Sequence, residues 1–422
     1  MTGEKIEALS RMTCDLKMWD LKSKIKRAIS YIGPGFLVSV GYMDPGNWAT
    51  NISGGSYFGY KLLWVIFMSN IMAIILQIVA AKVGIATGRN LAELCREYFP
   101  KSISFVLWIF AQISSMATDL AEFLGAAIAL NILFSLSMLE SVFATFVFVI
   151  GITGLSRYGH RIVEIVIIFF VSIVGISYIM EFFLISPDWN QILHNVFIPS
   201  VDSESILIAV GMLGATVMPH NIFLHSDIIL KKFRDIKDYK NKGKFLRFAI
   251  IDSILALNVA WLINSSMIII SSAVFYKNGI AIDSIKKAYV TLSPSLGSFA
   301  TFLFALALLS SGLSSSTTGT MAGQGIIEGF GFVKIPLWLR RTITMIPSII
   351  IISLNVSDVI ALIVSQVILS LSLPFAVIPL IVLSGRRDVM GELKNGFHLN
   401  GILWIISGLI ISLNIVLIYL SI

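Results

Sequence analysis

Asp44 and Asn47 flank Pro45-Gly46 inside one apolar stretch, and Met218 stands directly before Pro219 inside another. A carboxylate and a carboxamide offer hard oxygen donors, whereas a methionine thioether is soft. Proline lacks the backbone N–H and clashes with the preceding turn, so each helix is expected to stop there and restart. The carbonyl four residues back then loses its partner, which adds the oxygen of Ala215 to the set. Such a mixture fits manganese, ferrous iron, cobalt or cadmium better than calcium or magnesium, whose hydration shells a thioether replaces poorly. Taken singly, each residue has a plainer reading: a methionine packs, and a buried aspartate pairs with an arginine.

A second polar set lies elsewhere. Asp119 and Glu122 are spaced i,i+3 and share a helix face, and Arg340-Arg341 offers two guanidinium groups. A buried carboxylate–arginine network serves either as structure or as a proton route. His220 and His225 follow the second break and carry the same two readings. Ser310 to Thr320 is a run of small residues that lets helices approach closely, so its expected role is packing.

These residues are positioned by segments made for lipid. The 422 residues are 56% hydrophobic and 13% charged, against about 25% charged in an average soluble domain. About eleven apolar segments are long enough to cross a hydrocarbon core of about 30 Å. They fall at about 32–58, 62–87, 103–134, 138–155, 162–185, 204–230, 248–275, 296–328, 338–355, 358–384 and 400–421. The chain therefore reads as an all-α polytopic membrane protein, with a polar segment over 1–30 and one transmembrane domain over 31–422. No short apolar region with a small-residue cleavage site precedes the first span, so no cleaved signal peptide is expected.

The net charge of +7 is concentrated in alternate loops rather than spread as a nucleic-acid footprint. Lys22, Lys24, Lys26 and Arg27, then Arg89, Arg96 and Lys101, then Arg157 and Arg161 lie on one side. The stretch Lys231, Lys232, Arg234, Lys237, Lys240, Lys242, Lys244 and Arg247 joins them, as do Arg386, Arg387 and Lys394. The positive-inside rule places that side, and the N-terminus, in the cytoplasm and the C-terminus outside the cell membrane. Lys277, Lys286 and Lys287 form the mild exception. Cys14 and Cys95, the two cysteines, fall on the cytoplasmic side, so no disulfide framework is expected.

The interrupted spans are the first and the sixth. They open two five-span blocks, about 32–185 and 204–384, and an odd span number gives the blocks inverted topology. Broken helices at matching places in two halves point to a transporter site at the bilayer midplane. The span at about 400–421 is then peripheral. No His-Glu-x-x-His zinc motif, Gly-x-Ser-x-Gly elbow or phosphate-binding Gly-x₄-Gly-Lys-Ser/Thr loop is present, which argues against an enzyme and against ATP hydrolysis. A sodium-coupled symporter of organic substrates would use similar breaks but gives no reason for Met218 beside Asp44. A channel or a metal uniporter is also compatible with these interruptions.

Asp44-Pro45-Gly46-Asn47 and Met218-Pro219-His220-Asn221, with Leu224-His225-Ser226, resemble the two signature motifs of the Nramp divalent metal transporters. The similarity continues through Gly59 to Trp64, Asp119 to Glu122, Gly319 to Gln324 and Arg340-Arg341. The resemblance implies a LeuT-like fold, alternating access and proton-linked uptake of manganese or ferrous iron, with no cofactor and no obligate protein partner. It implies Asp44, Asn47, Ala215 and Met218 as metal ligands, with Gln366 adding an oxygen in some states. It also links His220, Asp119, Glu122, Arg340 and Arg341 to proton movement. Gln112 stands where the family often has an acid, and Leu313 where a glutamine is expected. Relatives that carry magnesium replace the methionine, which Met218 retains.

Overall fold

A proline fits best as the first residue of a helix, where its missing amide would have no partner anyway. Pro34, Pro45, Pro219 and Pro374 all begin helices in the computed structural model of the chain. The structure describes residues 33–154, 160–233, 239–354 and 356–421. The polar segment over 1–30 with Cys14, the turn at Arg157, and Arg234 and Lys237 lie outside the described residues.

In chain order, α1 (Pro34–Ser39) leads through a 3₁₀ turn, Gly41–Met43, to α2 (Pro45–Phe58). Next come α3 (Leu63–Thr87), α4 (Leu91–Tyr98), α5 (Lys101–Phe134), α6 (Met138–Gly154) and α7 (His160–Phe182). The short α8 (Trp189–Phe197) precedes α9 (Ile206–Thr216) and α10 (Pro219–Phe233). The remainder is α11 (Tyr239–Val274), α12 (Ile285–Leu296), α13 (Ser298–Phe330), α14 (Leu337–Ser353) and α15 (Asp358–Ser372), then α16 (Pro374–Gly385), α17 (Arg387–Met390) and α18 (Phe397–Ser421). No strand occurs among the described residues.

Several elements differ from the sequence expectation. The segment expected at about 248–275 begins at Tyr239, because Lys242, Lys244 and Arg247 are good helix formers that extend it beyond its apolar part. The segment expected to run unbroken over about 358–384 restarts at Pro374. Four expected loops contain helices, the shortest being α17. α4 is started by a capping box between Asn90 and Glu93, and Asp188 caps α8 by accepting from the amides of Asn190 and Gln191 at 3.1 and 3.2 Å. α12 occupies the loop before α13.

Eight stretches of the described residues are long and apolar enough to cross a membrane, and Pro34–Met43 and Met138–Gly154 are shorter apolar helices. The exterior is apolar and the interior polar. Phe169, Val147 and Ile405 are exposed, while Asp44, Asn47, Asp119, Glu122 and Gln366 are buried. In Ile206–Lys232 94% of the most apolar window is buried, against 28% in Ile165–Phe182 and 33% in Phe397–Leu420. The chain thus wraps its outer helices around α9 and α10. The start of α1 is held from across the bundle, where the Asp252 carboxylate of α11 accepts from the Gly35 amide at 2.7 Å and from the Gly33 amide at 3.2 Å.

Candidate functional site between two helix ends

Asp44 is the N-cap of α2: its Oδ1 accepts from the Asn47 amide at 2.8 Å. Across the bundle α9 ends at Thr216, and Val217 takes φ −112° and ψ 83° before α10 begins at Pro219. The Ala215 carbonyl finds its partner outside its own helix. The Asn47 side-chain amide donates to Ala215 O at 3.0 Å and to Asp44 Oδ1 at 2.9 Å, bridging the two chain interruptions. The carboxylate lies at the start of one helix and the carbonyl at the end of another, so the partial negative charge of the α9 C-terminus adds to that of Asp44. A cation is the complement of such a place.

The other predicted donors line the same junction. Gln366 of α15 sits so close to Gly46 that a Cβ there would come within 1.8 Å of its Nε2. Its backbone carbonyl lies against Gly214, where a Cβ would approach to 2.0 Å. Met218 is buried against Ala117 and Leu369, and the Asn221 amide points at its sulfur at 3.4 Å. Asp44 Oδ2, Gln366 Oε1 and Asn221 Oδ1 are buried without a hydrogen bond. None of Asp44, Asn47, Ala215, Met218 and Gln366 is more than 1% exposed, so the junction is closed to solvent on both sides. Among the described residues no Lys or Arg pairs with Asp44.

The second polar set forms a separate cluster. Asp119 Oδ1 accepts from Arg341 and Oδ2 from Arg340 at 3.3 Å. Arg340 also donates to Ser115 Oγ at 2.6 Å and Thr320 O at 3.0 Å, and Arg341 donates to Ser316 O. Arg341 further lies over the Phe123 ring, 5.5 Å from its centroid. Glu122 sits against Gly319, and its Oε2 has no hydrogen bond. His220 meets Thr118 Oγ1 at 3.0 Å rather than a carboxylate. Gln112 is partly buried, and Leu313 is buried.

A family model described as natural resistance-associated macrophage protein-like matches residues 35–420. The chain belongs to the Nramp family. It is 47% identical to the divalent metal cation transporter MntH of Caldanaerobacter subterraneus subsp. tengcongensis, over 94% of each chain. Among solved structures it resembles the Eremococcus coleocola manganese transporter, determined with an aromatic bis-isothiourea substituted compound. That match has a TM-score of 0.84 and 35% identity, and it covers 93% of this chain and 87% of the other. Mhp1, a nucleobase-cation-symport-1 family transporter, superposes with a TM-score of 0.62 at 13% identity over 92% of each chain. That likeness concerns the fold alone, which is LeuT-like. This Nramp chain is accordingly a multi-pass membrane protein.

Some contacts around the junction carried no advance signal. Ser311, within the small-residue run of α13, donates to Met43 O at 2.5 Å and so secures the turn before Asp44. That run therefore bonds as well as packs. Tyr42 is held on both faces of the same turn, with its hydroxyl accepting from Gln77 at 2.6 Å and its carbonyl from Asn264 at 2.6 Å. His225 meets the other end of the Gln77 carboxamide at 3.0 Å. Single serines, glutamines and asparagines on apolar helices look alike in sequence, and only the fold brings them together.

Proposed function

We propose that this Nramp protein is a secondary active transporter that imports divalent transition-metal ions with protons by alternating access. Manganese and ferrous iron are the primary substrates in this reading, with cobalt and cadmium also accepted. The observation that carries it is the Asn47 bridge. One carboxamide spans the Asp44 carboxylate and the Ala215 carbonyl, with unpaired oxygens of Asp44 and Gln366 beside it. A divalent ion entering there replaces the bridging N–H groups, and rotation of the carboxamide turns its oxygen toward the ion. Asp44, Asn47, Ala215, Met218 and Gln366 are then the ligands. The Met218 sulfur favours softer ions over calcium and magnesium. The names of the MntH relative and the manganese transporter support the same substrate class.

The topology follows in this reading. Eleven spans are formed by α1–α2, α3, α5, α6 and α7, then α9–α10, α11, α13, α14 and α15–α16, then α18. The first ten make two inverted repeats, with the N-terminus in the cytoplasm and the C-terminus outside the plasma membrane. Asp44 and His220 exchange protons as metal binds, since an incoming cation and a proton compete for the same carboxylate. Asp119, Glu122, Arg340 and Arg341 line the onward route of the proton, the two guanidinium groups holding Asp119 in place. A metal uniporter with weak coupling is the second reading, favoured by Gln112 in place of an acid.

Reconstitution into liposomes, with Mn²⁺ uptake and internal pH recorded together, tests the proposal. Saturable uptake accompanied by internal acidification and accelerated by an inward proton gradient is expected. Uptake without acidification supports the uniporter instead, and metal-independent uptake of an organic substrate would overturn both.

A further inference from the structure

α13 serves as a ruler along the molecule. Phe304 packs on Trp48, Ser311 reaches Met43, Gly319 lies against Glu122, and Gly323 lies against Arg340. Phe304 is seven residues before Ser311, or about 10 Å along a helix. The Asp119 cluster thus lies toward the C-terminal end of α13 from the junction. A second polar group lies toward its N-terminal end, which the topology above places outside.

That group is centred on Glu181, in the last turn of α7. Glu181 is 1% exposed, and its Oε2 has no hydrogen bond. Ser177 and Tyr178, one turn earlier on the same face, are also buried with unpartnered hydroxyls. The Tyr178 ring stands edge-on to Trp48 with centroids 5.1 Å apart, and the Trp48 indole N–H is likewise unpartnered. Tyr178 thus joins the face of α7 that carries three orphaned polar atoms to Trp48, the residue that follows Asn47, which carries a fourth. Among the described residues no base neutralises the carboxyl from the helices packed on α7. The only ionisable residue of α13 is Glu328, near its far end, and those of α11 lie no later than Asp252. α1 has none, α2 has only exposed Tyr57, and α6 has only Glu140, which caps Ser137 at the surface. A buried carboxyl with no cation and no complete hydrogen bonding is costly as structure. Phe or Leu would fill the place without that cost.

We propose that Glu181 accepts the incoming proton on the extracellular side of the metal site, caged by Ser177 and Tyr178 and screened from Asn47 by Trp48. The inference rests on proton-linked import as described above. When the bundle opens outward, a hydronium ion gives its proton to the Glu181 carboxylate. One O–H bond forms on the glutamate, one breaks on the hydronium, and water is released.

The test is Mn²⁺ uptake into proteoliposomes at fixed internal pH, with external pH varied between about 5.5 and about 8. Wild-type uptake should fall about tenfold across that range, and that of Glu181→Gln less than about threefold, with KM for Mn²⁺ at the acid end within about twofold of wild type. Glu181→Asp should keep the fall with a displaced midpoint, which decides the matter if Glu181→Gln does not elute as a monodisperse protein. Wild-type uptake that ignores external pH would overturn the proton-linked reading, and this inference with it. A pH-sensitive wild type whose profile is unchanged in Glu181→Gln, or in Glu181→Asp where that variant decides, overturns the inference alone.

Discussion

Asp44 and Asp119 are both fully buried carboxylates, yet their surroundings are opposite. Asp119 has a guanidinium on each oxygen, and those guanidinium groups are fixed in turn by Ser115, Ser316 and Thr320. Asp44 has one oxygen shared between two N–H groups of Asn47 and the other free. The first is a charge whose partners are already in place. The second is incomplete, and under the proposed function a divalent cation completes it. A single fold thus separates a permanent electrostatic joint from an exchangeable one, and the two respond differently to substitution.

The largest expected effect is at the exchangeable joint. Asp44→Ala removes the one carboxylate of the donor set, so Mn²⁺ uptake should fall at least about 100-fold in liposomes. Its thermal midpoint should fall less than that of Arg341→Met, because a helix cap is lost but no buried cation loses a partner. Uptake near the wild-type rate would show that the ion binds elsewhere. At the permanent joint the pattern reverses in kind. Arg341→Met leaves Asp119 half-paired in the interior, which should cost about 3–5 kcal/mol of stability. A thermal unfolding scan in detergent measures it, and an unchanged midpoint would mean that the Asp119 cluster does not hold α5 to α14.

Met218→Ala sharpens the comparison on the soft side of the site. Uptake of Mn²⁺ should remain measurable while discrimination against Ca²⁺ falls about tenfold, as a soft ligand is lost from a hard set. Competition of Ca²⁺ against Mn²⁺ uptake reads this out, and unchanged selectivity would remove the thioether from the ligand set. The smallest effect is expected at the outer surface, where Asp202 pairs with Lys61 and accepts from Ser205. These partners hold the exposed Asp202 carboxyl below the ordinary carboxylate range. A depressed value means the pair is intact above the ordinary pKa and lost only in stronger acid. Asp202→Asn should therefore leave the external-pH profile of uptake unchanged. A changed profile would assign the pH response to this surface pair.

Parts of this arrangement are readable from the chain and parts are not, for physical reasons. Proline acts through what it lacks locally, so Pro45 and Pro219 can be read as first residues of helices, and the freed Ala215 carbonyl follows from Pro219 alone. The acids and arginines of α5 and α14 stand out by type in apolar segments. Their partition does not: both guanidinium groups go to Asp119, while Glu122 rests against Gly319. The direction of the Asn47 carboxamide depends on α9 arriving beside α2, a contact across 168 residues of chain. Ser311 belongs to a small-residue run that reads as packing, and Glu181 stands near the end of its span with no partner in the sequence to give it a role. The surface helices α8 and α12 were hidden because they are short and amphipathic, and their signal is averaged away by apolar windows sized for a membrane.

The central claim is that the ion sits where the Asn47 amide now bridges Asp44 and Ala215. Crystals grown with Mn²⁺, with diffraction collected at the manganese absorption edge, test it most directly. One anomalous peak is expected in contact with the Asp44 carboxylate, the Asn47 carboxamide, Ala215 O and Met218 Sδ, with the Asn47–Ala215 hydrogen bond gone. A peak elsewhere, with that bridge intact, would contradict it.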